Sequence, residues 1–161
     1  MTVILSEQRH CLIGDECLFS CDITIRNADP HLIYNCDTMD RINPTKSVYI
    51  GDHVWIGQNC MILKGTEIDS GSIIGACSVV TNKKIPSNTI WAGNPAREIS
   101  RNVFWDEECV HAYKEDRTNL SEQYGELILS RYNNEKADQW IYYDTNNSNS
   151  IEYSKIDVDL N

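Results

Sequence analysis

A six-residue step runs through this chain. Aliphatic residues stand at Ile50, Ile56, Ile62, Ile68, Ile74 and Val80 in unbroken register, and Ile13, Phe19 and Ile25 keep the same step in an earlier block. The residue that follows is glycine at Gly14, Gly51, Gly57 and Gly75, although the chain holds only eight glycines. The residue four places on is slim: Cys17, Val54, Cys60, Thr66, Ser72 and Ser78. A helix repeats every 3.6 residues and a strand every two, so no single element has this period. A β-sandwich would need turns at varying spacings. A three-sided coil meets the pattern, with short strands as its faces, the aliphatic residue pointing inward and the slim one beside it near the corner. Glycine is expected to relieve the backbone where the chain turns between faces.

The blocks do not join in register. Ile25 and Ile50 are 25 residues apart, one more than a multiple of six. The intervening ADPHLIYNCDTMDRINPTKS contains Pro30, Pro44 and several turn-formers and no hexad, so residues of about 30–48 are predicted to leave the coil as a loop. Such a loop on a rigid scaffold is a natural seat for chemistry. Residues 1–9 show no repeat, and the repeat is expected to stop after Pro86. A helix capped by Asp106 is predicted over roughly 106–118, and a second, capped by Ser121, with Tyr124, Leu127, Ile128 and Tyr132 on one face. Two parts follow: a β domain over 1–100 and a helical appendage over 101–161. Its acidic, Asn-rich tail, 144–161, is expected to be mobile, and the Trp140–Tyr143 stretch to dock on the body or on a neighbour.

The formal charge of −10 bears on partners. It is unevenly placed. Residues 1–100 hold 11 acids and 8 bases, whereas 101–161 hold 13 acids and 6 bases. The overall acidity argues against nucleic acid, yet the near-balanced β part still has room for a local cationic site. No apolar run approaches the roughly 20 residues of a membrane span, and the start MTVILSEQRH has no basic segment before its four apolar residues, so a cytoplasmic protein is expected. Seven cysteines, without a C-x-x-C pair, are read as reduced thiols serving as small core residues rather than as disulfides or metal ligands.

The hexads together with IRNADPH (25–31), GDHVWIGQNCMILKG (51–65), GACSVVTNKKIP (75–86) and WAGNPAREI (91–99) resemble the left-handed β-helix, or hexapeptide-repeat, acyltransferases. The closest likeness is to the branch that O-acetylates sugars and bacterial surface polysaccharides. This resemblance covers roughly residues 10–105. It implies a left-handed parallel β-helix with an ejected active-site loop and a short C-terminal helical cap. It further implies a homotrimer with active sites between subunits, acetyl-CoA as acetyl donor, and no metal. His31 matches the catalytic histidine, 24 residues before Trp55. A neutral imidazole there can take the proton of a sugar hydroxyl, a poor nucleophile, and return it to the departing thiolate. Trp55 matches the tryptophan flanking the site, where an indole offers a flat face and an N–H donor.

For the donor, the resemblance points to Ala76, Thr81 and the turn Gly93, Asn94 and Pro95 as contacts of coenzyme A. Lys83, Lys84, Arg97 and Arg101 are the cations available to its phosphates. VTNKKIP is one residue longer than the commoner V-T-K-D-I-P, which leaves open whether Lys83 or Lys84 does this. Asn27, Asp29 and His53 are candidates for the acceptor side, with Asp29 alternatively orienting the imidazole or stabilising the turn before Pro30. Three other readings compete: transfer to a small acceptor such as serine, a non-catalytic trimeric scaffold, and a zinc hydratase. The last needs three histidines around an open metal site, and only His31 and His53 are near the expected cleft.

Overall fold

The structure, a computed structural model, describes residues 1–124. The expected helix carrying Leu127, Ile128 and Tyr132, the Trp140–Tyr143 stretch and the tail 144–161 lie outside these residues. Met1–Phe104 forms one compact unit, and the described residues from Trp105 onward belong to a second.

The first unit is a three-sided parallel β-helix of four coils. Its strands are β1 (Thr2–Ile4), β2 (Cys11–Ile13), β3 (Leu18–Phe19), β4 (Thr24–Arg26), β5 (Val48–Ile50), β6 (Trp55–Ile56), β7 (Met61–Leu63), β8 (Glu67–Ile68), β9 (Ile73–Ile74), β10 (Val79–Val80), β11 (Lys84–Ile85), β12 (Thr89–Gly93) and β13 (Ala96–Arg101). Every third strand joins the same sheet. Face A is β1-β4-β7-β10, face B is β2-β5-β8-β11, and face C is β3-β6-β9-β12 with β13 added antiparallel. Strands separated by one full coil lie side by side, so the backbone of each coil bonds to the next.

Three inward columns fill the prism. Val3, Ile25, Ile62 and Val80 stack on face A. Ile13, Ile50, Ile68 and Ile85 stack on face B, and Phe19, Ile56, Ile74 and Trp91 on face C. The middle members are fully buried, whereas Val3 and Ile13 at the first coil stay 41% and 38% exposed because no coil covers them. At the other end Trp91 packs against the core, its indole N–H donating to Thr89 Oγ1 at 3.1 Å.

The columns extend the repeat in both directions. Val3 belongs to the first coil although residues 1–9 lack a hexad, because the corner between β1 and β2 carries four extra residues. Ile85 and Trp91 continue the columns past Val80, with one residue fewer between Val80 and Ile85, so the repeat runs on past Pro86. One further expectation needs correction. The glycines after the inward residues are not at left-handed positions. They sit where coils approach too closely for a side chain: a Cβ on Gly57 would lie 2.6 Å from Ala76 N, and one on Gly51 2.7 Å from Ser70 N. The left-handed corner falls two residues later, at Glu16, Asp22, His53, Asn59, Gly65, Gly71 and Cys77, again every six residues within each block.

The slim residues behave as expected, with Val54, Cys60, Thr66, Ser72 and Ser78 fully buried. Their hydroxyls turn to the backbone, Ser72 Oγ donating to Pro86 O at 2.7 Å and Thr66 Oγ1 to Val80 O at 3.3 Å. All seven cysteines are free, but only Cys60 is buried and Cys11 and Cys17 half-buried. Cys21, Cys36, Cys77 and Cys109 are exposed, so the core-thiol reading holds for three of the seven. Burial pushes those three thiols up from their ordinary pKa.

In the second unit the helix expected over 106–118 is shorter. A 3₁₀ turn occupies Val110–Ala112 and α1 spans Glu115–Leu120. Asp106 does not cap a helix. Its Oδ1 accepts from the N–H of Glu108 at 2.9 Å, a local turn that competes with helix formation. Arg117 and Tyr113 then converge on the Glu108 carboxylate, at 2.8 and 2.6 Å. Ser121 caps the C-terminal end of α1, its hydroxyl donating to Thr118 O at 2.7 Å.

Candidate active site

The ejected loop leaves at the edge where face A turns into face B, between Arg26 and Val48. That edge also carries the extra turn 5–10, Lys64–Thr66 and Thr81–Lys83. The loop folds back on itself: Tyr34 bridges Arg41, and Ile42 N–H donates to Ile33 O at 2.9 Å. His31 is exposed at its first turn. The amide of Asn43, a buried residue, donates to His31 O at 2.8 Å and to Asp29 Oδ2 at 3.0 Å.

Asp29 also accepts from Lys64 Nζ at 2.5 Å, and this ammonium, then Asn43, holds its carboxyl below the usual range. Its carboxylate is therefore tied to the scaffold. Asn27 is wholly buried, and its amide brackets Ser6, accepting from Ser6 N at 2.9 Å and donating to Ser6 O at 3.1 Å. These bonds fix the extra turn 5–10 and give Asn27 a structural task. Glu7 in that turn receives Arg41 at 2.7 and 3.0 Å and the hydroxyl of Thr45. The Arg41 guanidinium, then Thr45, pulls the Glu7 carboxyl down to about 2. Sequence reasoning missed Glu7, Arg41, Asn43 and Lys64, because their partners, from 10 residues away for Asn43 to 38 for Glu7, leave no periodic mark.

The remaining candidates lie elsewhere on the prism. Trp55 is 38% exposed on face C, in register with Leu18 and Ile73. His53 is buried at the B–C corner with φ +50°, its N–H donating to Asp15 O at 2.8 Å. Ala76 is exposed at the C–A corner. Gly93, Asn94 and Pro95 form the exposed turn of the β12–β13 hairpin, with Ser78 Oγ accepting from Gly93 N at 3.0 Å. Arg97 and Arg101 follow on β13, Arg97 donating to Ala96 O at 3.1 Å and Arg101 paired with Glu98. Back at the A–B edge Thr81 is exposed, and Lys83 lies over the Trp91 ring at 5.5 Å. Lys84, on face B, is the more exposed of the two lysines and only loosely paired with Glu67 at 3.9 Å.

The candidates thus fall into two groups. Asn27, Asp29, His31, Thr81 and Lys83 share the A–B edge. His53, Trp55, Ala76 and the hairpin border face C, which in a three-sided prism lies opposite that edge. A groove of ≈ 330 Å³ beside the foot of the loop, lined among others by Arg9, Lys46, Tyr49 and Asn82, contains none of them. Among the described residues no group of three or more His, Cys, Asp or Glu is placed to hold a metal, and no helix is long and apolar enough to cross a membrane.

Comparison with known proteins agrees with this architecture. Residues 47–82 match the bacterial transferase hexapeptide (six repeats) family. Over 102 residues the chain is 39% identical to a polysialic acid O-acetyltransferase of Escherichia coli O1:K1 / APEC, covering 63% of this chain and 33% of the relative. A crystal structure of a polysialic acid O-acetyltransferase superposes with a TM-score of 0.63 at 34% identity, covering 74% of this chain and 57% of that one. A galactoside acetyltransferase solved in complex with coenzyme A gives 0.50 at 28% identity, covering 70% and 55%. The chain spans from a third to under three fifths of the length of these relatives. With its four-coil prism, ejected loop and inward hexads, the chain has the left-handed β-helix fold of the hexapeptide-repeat acyltransferases, and over most of its length it is similar to their sugar and polysaccharide O-acetyltransferases.

Proposed function

We propose that this chain transfers acetyl from acetyl-CoA to a hydroxyl of a sugar or bacterial surface polysaccharide, with His31 as general base. The observation that carries the reading is the placement of His31. It stands exposed at the first turn of a loop tied down on both flanks, in a chain similar to enzymes named for polysialic acid and galactoside acetylation. The imidazole takes the hydroxyl proton as the oxygen attacks the thioester carbonyl. A C–O bond forms, the tetrahedral intermediate collapses with cleavage of C–S, and the imidazolium returns the proton to the thiolate. Direct attack in a ternary complex is the route this reading takes, with no covalent acyl-enzyme.

The opposed placement of His31 and Trp55 supports a homotrimer. One prism cannot bring both to one acetyl group, whereas a ring of prisms sets the A–B edge of one copy beside face C of the next. Coenzyme A in such a cleft would meet Trp55, Ala76 and the Gly93–Pro95 turn. Lys84 is better placed than Lys83 for its phosphates, because Lys83 already covers the Trp91 ring.

The test is release of coenzyme A from acetyl-CoA with a panel of sialic acid polymers, neutral oligosaccharides and serine, using wild type and His31→Ala. Acceptor-dependent release by wild type, reduced at least 100-fold in His31→Ala, is expected. Release that no acceptor accelerates, or full activity in His31→Ala, would refute the proposal.

A further inference from the structure

We propose that Asn43 is a positioning residue for His31, setting the place of the imidazole by gripping the loop at both ends of its first turn. This inference rests on the reading of His31 as the base. Asn43 returns across the loop from His31 and is 6% exposed, while its neighbours Ile42 and Pro44 are exposed. A side-chain amide has two donor hydrogens and two acceptor lone pairs. All four are used: Nδ2 donates to His31 O (2.8 Å) and Asp29 Oδ2 (3.0 Å), and Oδ1 accepts from Ile33 N (2.9 Å) and Arg41 Nε (3.4 Å). The backbone on either side of Leu32 is therefore held by one side chain.

That side chain is anchored in two directions. Through Asp29 it reaches Lys64, next to β7 on the coil below. Through Arg41 it reaches Glu7, in the turn that Asn27 fixes on the coil above. The loop is thus guyed to two coils, and both lines meet at Asn43. A shift of about 1 Å in a catalytic group is enough to cost on the order of 100-fold in rate.

A purely structural role makes a different prediction. Residues 31 and 33 are exposed, so water can satisfy their backbone groups once the amide is gone. The β-helix core does not depend on Asn43, and what is lost is the location of His31.

The experiment uses the full chain, with polysialic acid or whichever acceptor supports turnover. Asn43→Ala should lower kcat roughly 10- to 100-fold while KM for acetyl-CoA stays within about twofold and the thermal midpoint moves little. Adding His31→Ala to Asn43→Ala should cost no more than His31→Ala alone, since a displaced base and a missing base are the same defect. Amide hydrogen exchange in a peptide spanning 31–35 should quicken in Asn43→Ala and not in His31→Ala. Lys64→Met, which cuts one guy line and leaves Asn43 in place, should give a weaker change of the same kind and covers the case in which Asn43→Ala does not fold.

Unchanged exchange over 31–35, an unchanged kcat, or losses that multiply in the double variant would each overturn the proposal. Full activity in His31→Ala would overturn the base reading and with it the catalytic part of this one, while the exchange result would still show whether Asn43 holds the loop.

Discussion

Replacing Ile62 by alanine tests the inward columns directly. Ile62 is fully buried on β7, with Ile25 on one side and Val80 on the other. The substitution deletes three carbons, about 2.4 kcal/mol of transfer free energy at roughly 0.8 kcal/mol each. The neighbours are strands bonded to coils above and below, so they collapse poorly into the gap, and the cavity adds to the loss. A total of about 3–4 kcal/mol is expected, within the roughly 2–5 kcal/mol of buried Ile-to-Ala changes. Val3→Ala is the internal control. It lies in the same column but is 41% exposed at the open end, so losing its two carbons should cost less than about 1 kcal/mol. Urea unfolding followed by circular dichroism, at one fixed subunit concentration, reads both as shifts in midpoint. Equal shifts for the two variants, or a shift under about 1 kcal/mol for Ile62→Ala, would mean that this column is not the core of the prism.

Two other outcomes follow from particular contacts. Gly57→Ala drives a methyl into the backbone of the next coil, 2.6 Å from Ala76 N and 2.9 Å from Ile74 O, and should destabilise by about 1–3 kcal/mol in the same urea assay. Gly93→Ala, whose nearest contact would be 3.8 Å away, should pay only for its φ of +100°. Glu7 makes stability depend on pH. Its carboxyl is held at about 2 against an ordinary 4.5, so the unfolded chain binds the proton first as pH falls, and stability present above 4.5 is lost between there and about 2. Glu7→Gln should flatten the thermal midpoint across that window relative to wild type, and an unchanged slope would rule Glu7 out as the cause.

The prism was legible because its rule is local. An inward residue every six places, with a slim partner four places on, specifies three faces without knowledge of any distant contact. Where the corner length changes, the rule fails even though the structure continues. Four extra residues hide Val3, and one missing residue hides Ile85 and Trp91. The role of glycine was misread for a related reason. A sequence shows that Gly57 recurs in phase with Ile56, but only the stacked coils show that Ala76 leaves no room for a side chain. The corner itself is taken by residues as different as His53, Asn59 and Cys77, whose left-handed backbone leaves no common chemical signature.

For the candidate site the sequence offers names and not an arrangement. His31, Trp55 and the hairpin turn are candidates because their motifs resemble those of a family, and such a likeness carries no information about which side of a prism each residue occupies. Chain order supplies it. A residue in the corner after a face-A strand and one on the face-C strand of the same coil stand across the prism from each other, so His31 and Trp55 are opposed however close they lie in sequence. The supports of the loop show the converse. Glu7 and Lys64 are far from His31 in sequence yet tie down its loop through Arg41 and Asp29, because the extra turn, the ejected loop and the Lys64 corner all leave the coil at one edge. The same edge explains the charge pattern. Two ion pairs of the β unit stand there, Glu7 with Arg41 and Asp29 with Lys64, and the charges of Arg41 and Lys64 go to holding the loop in place.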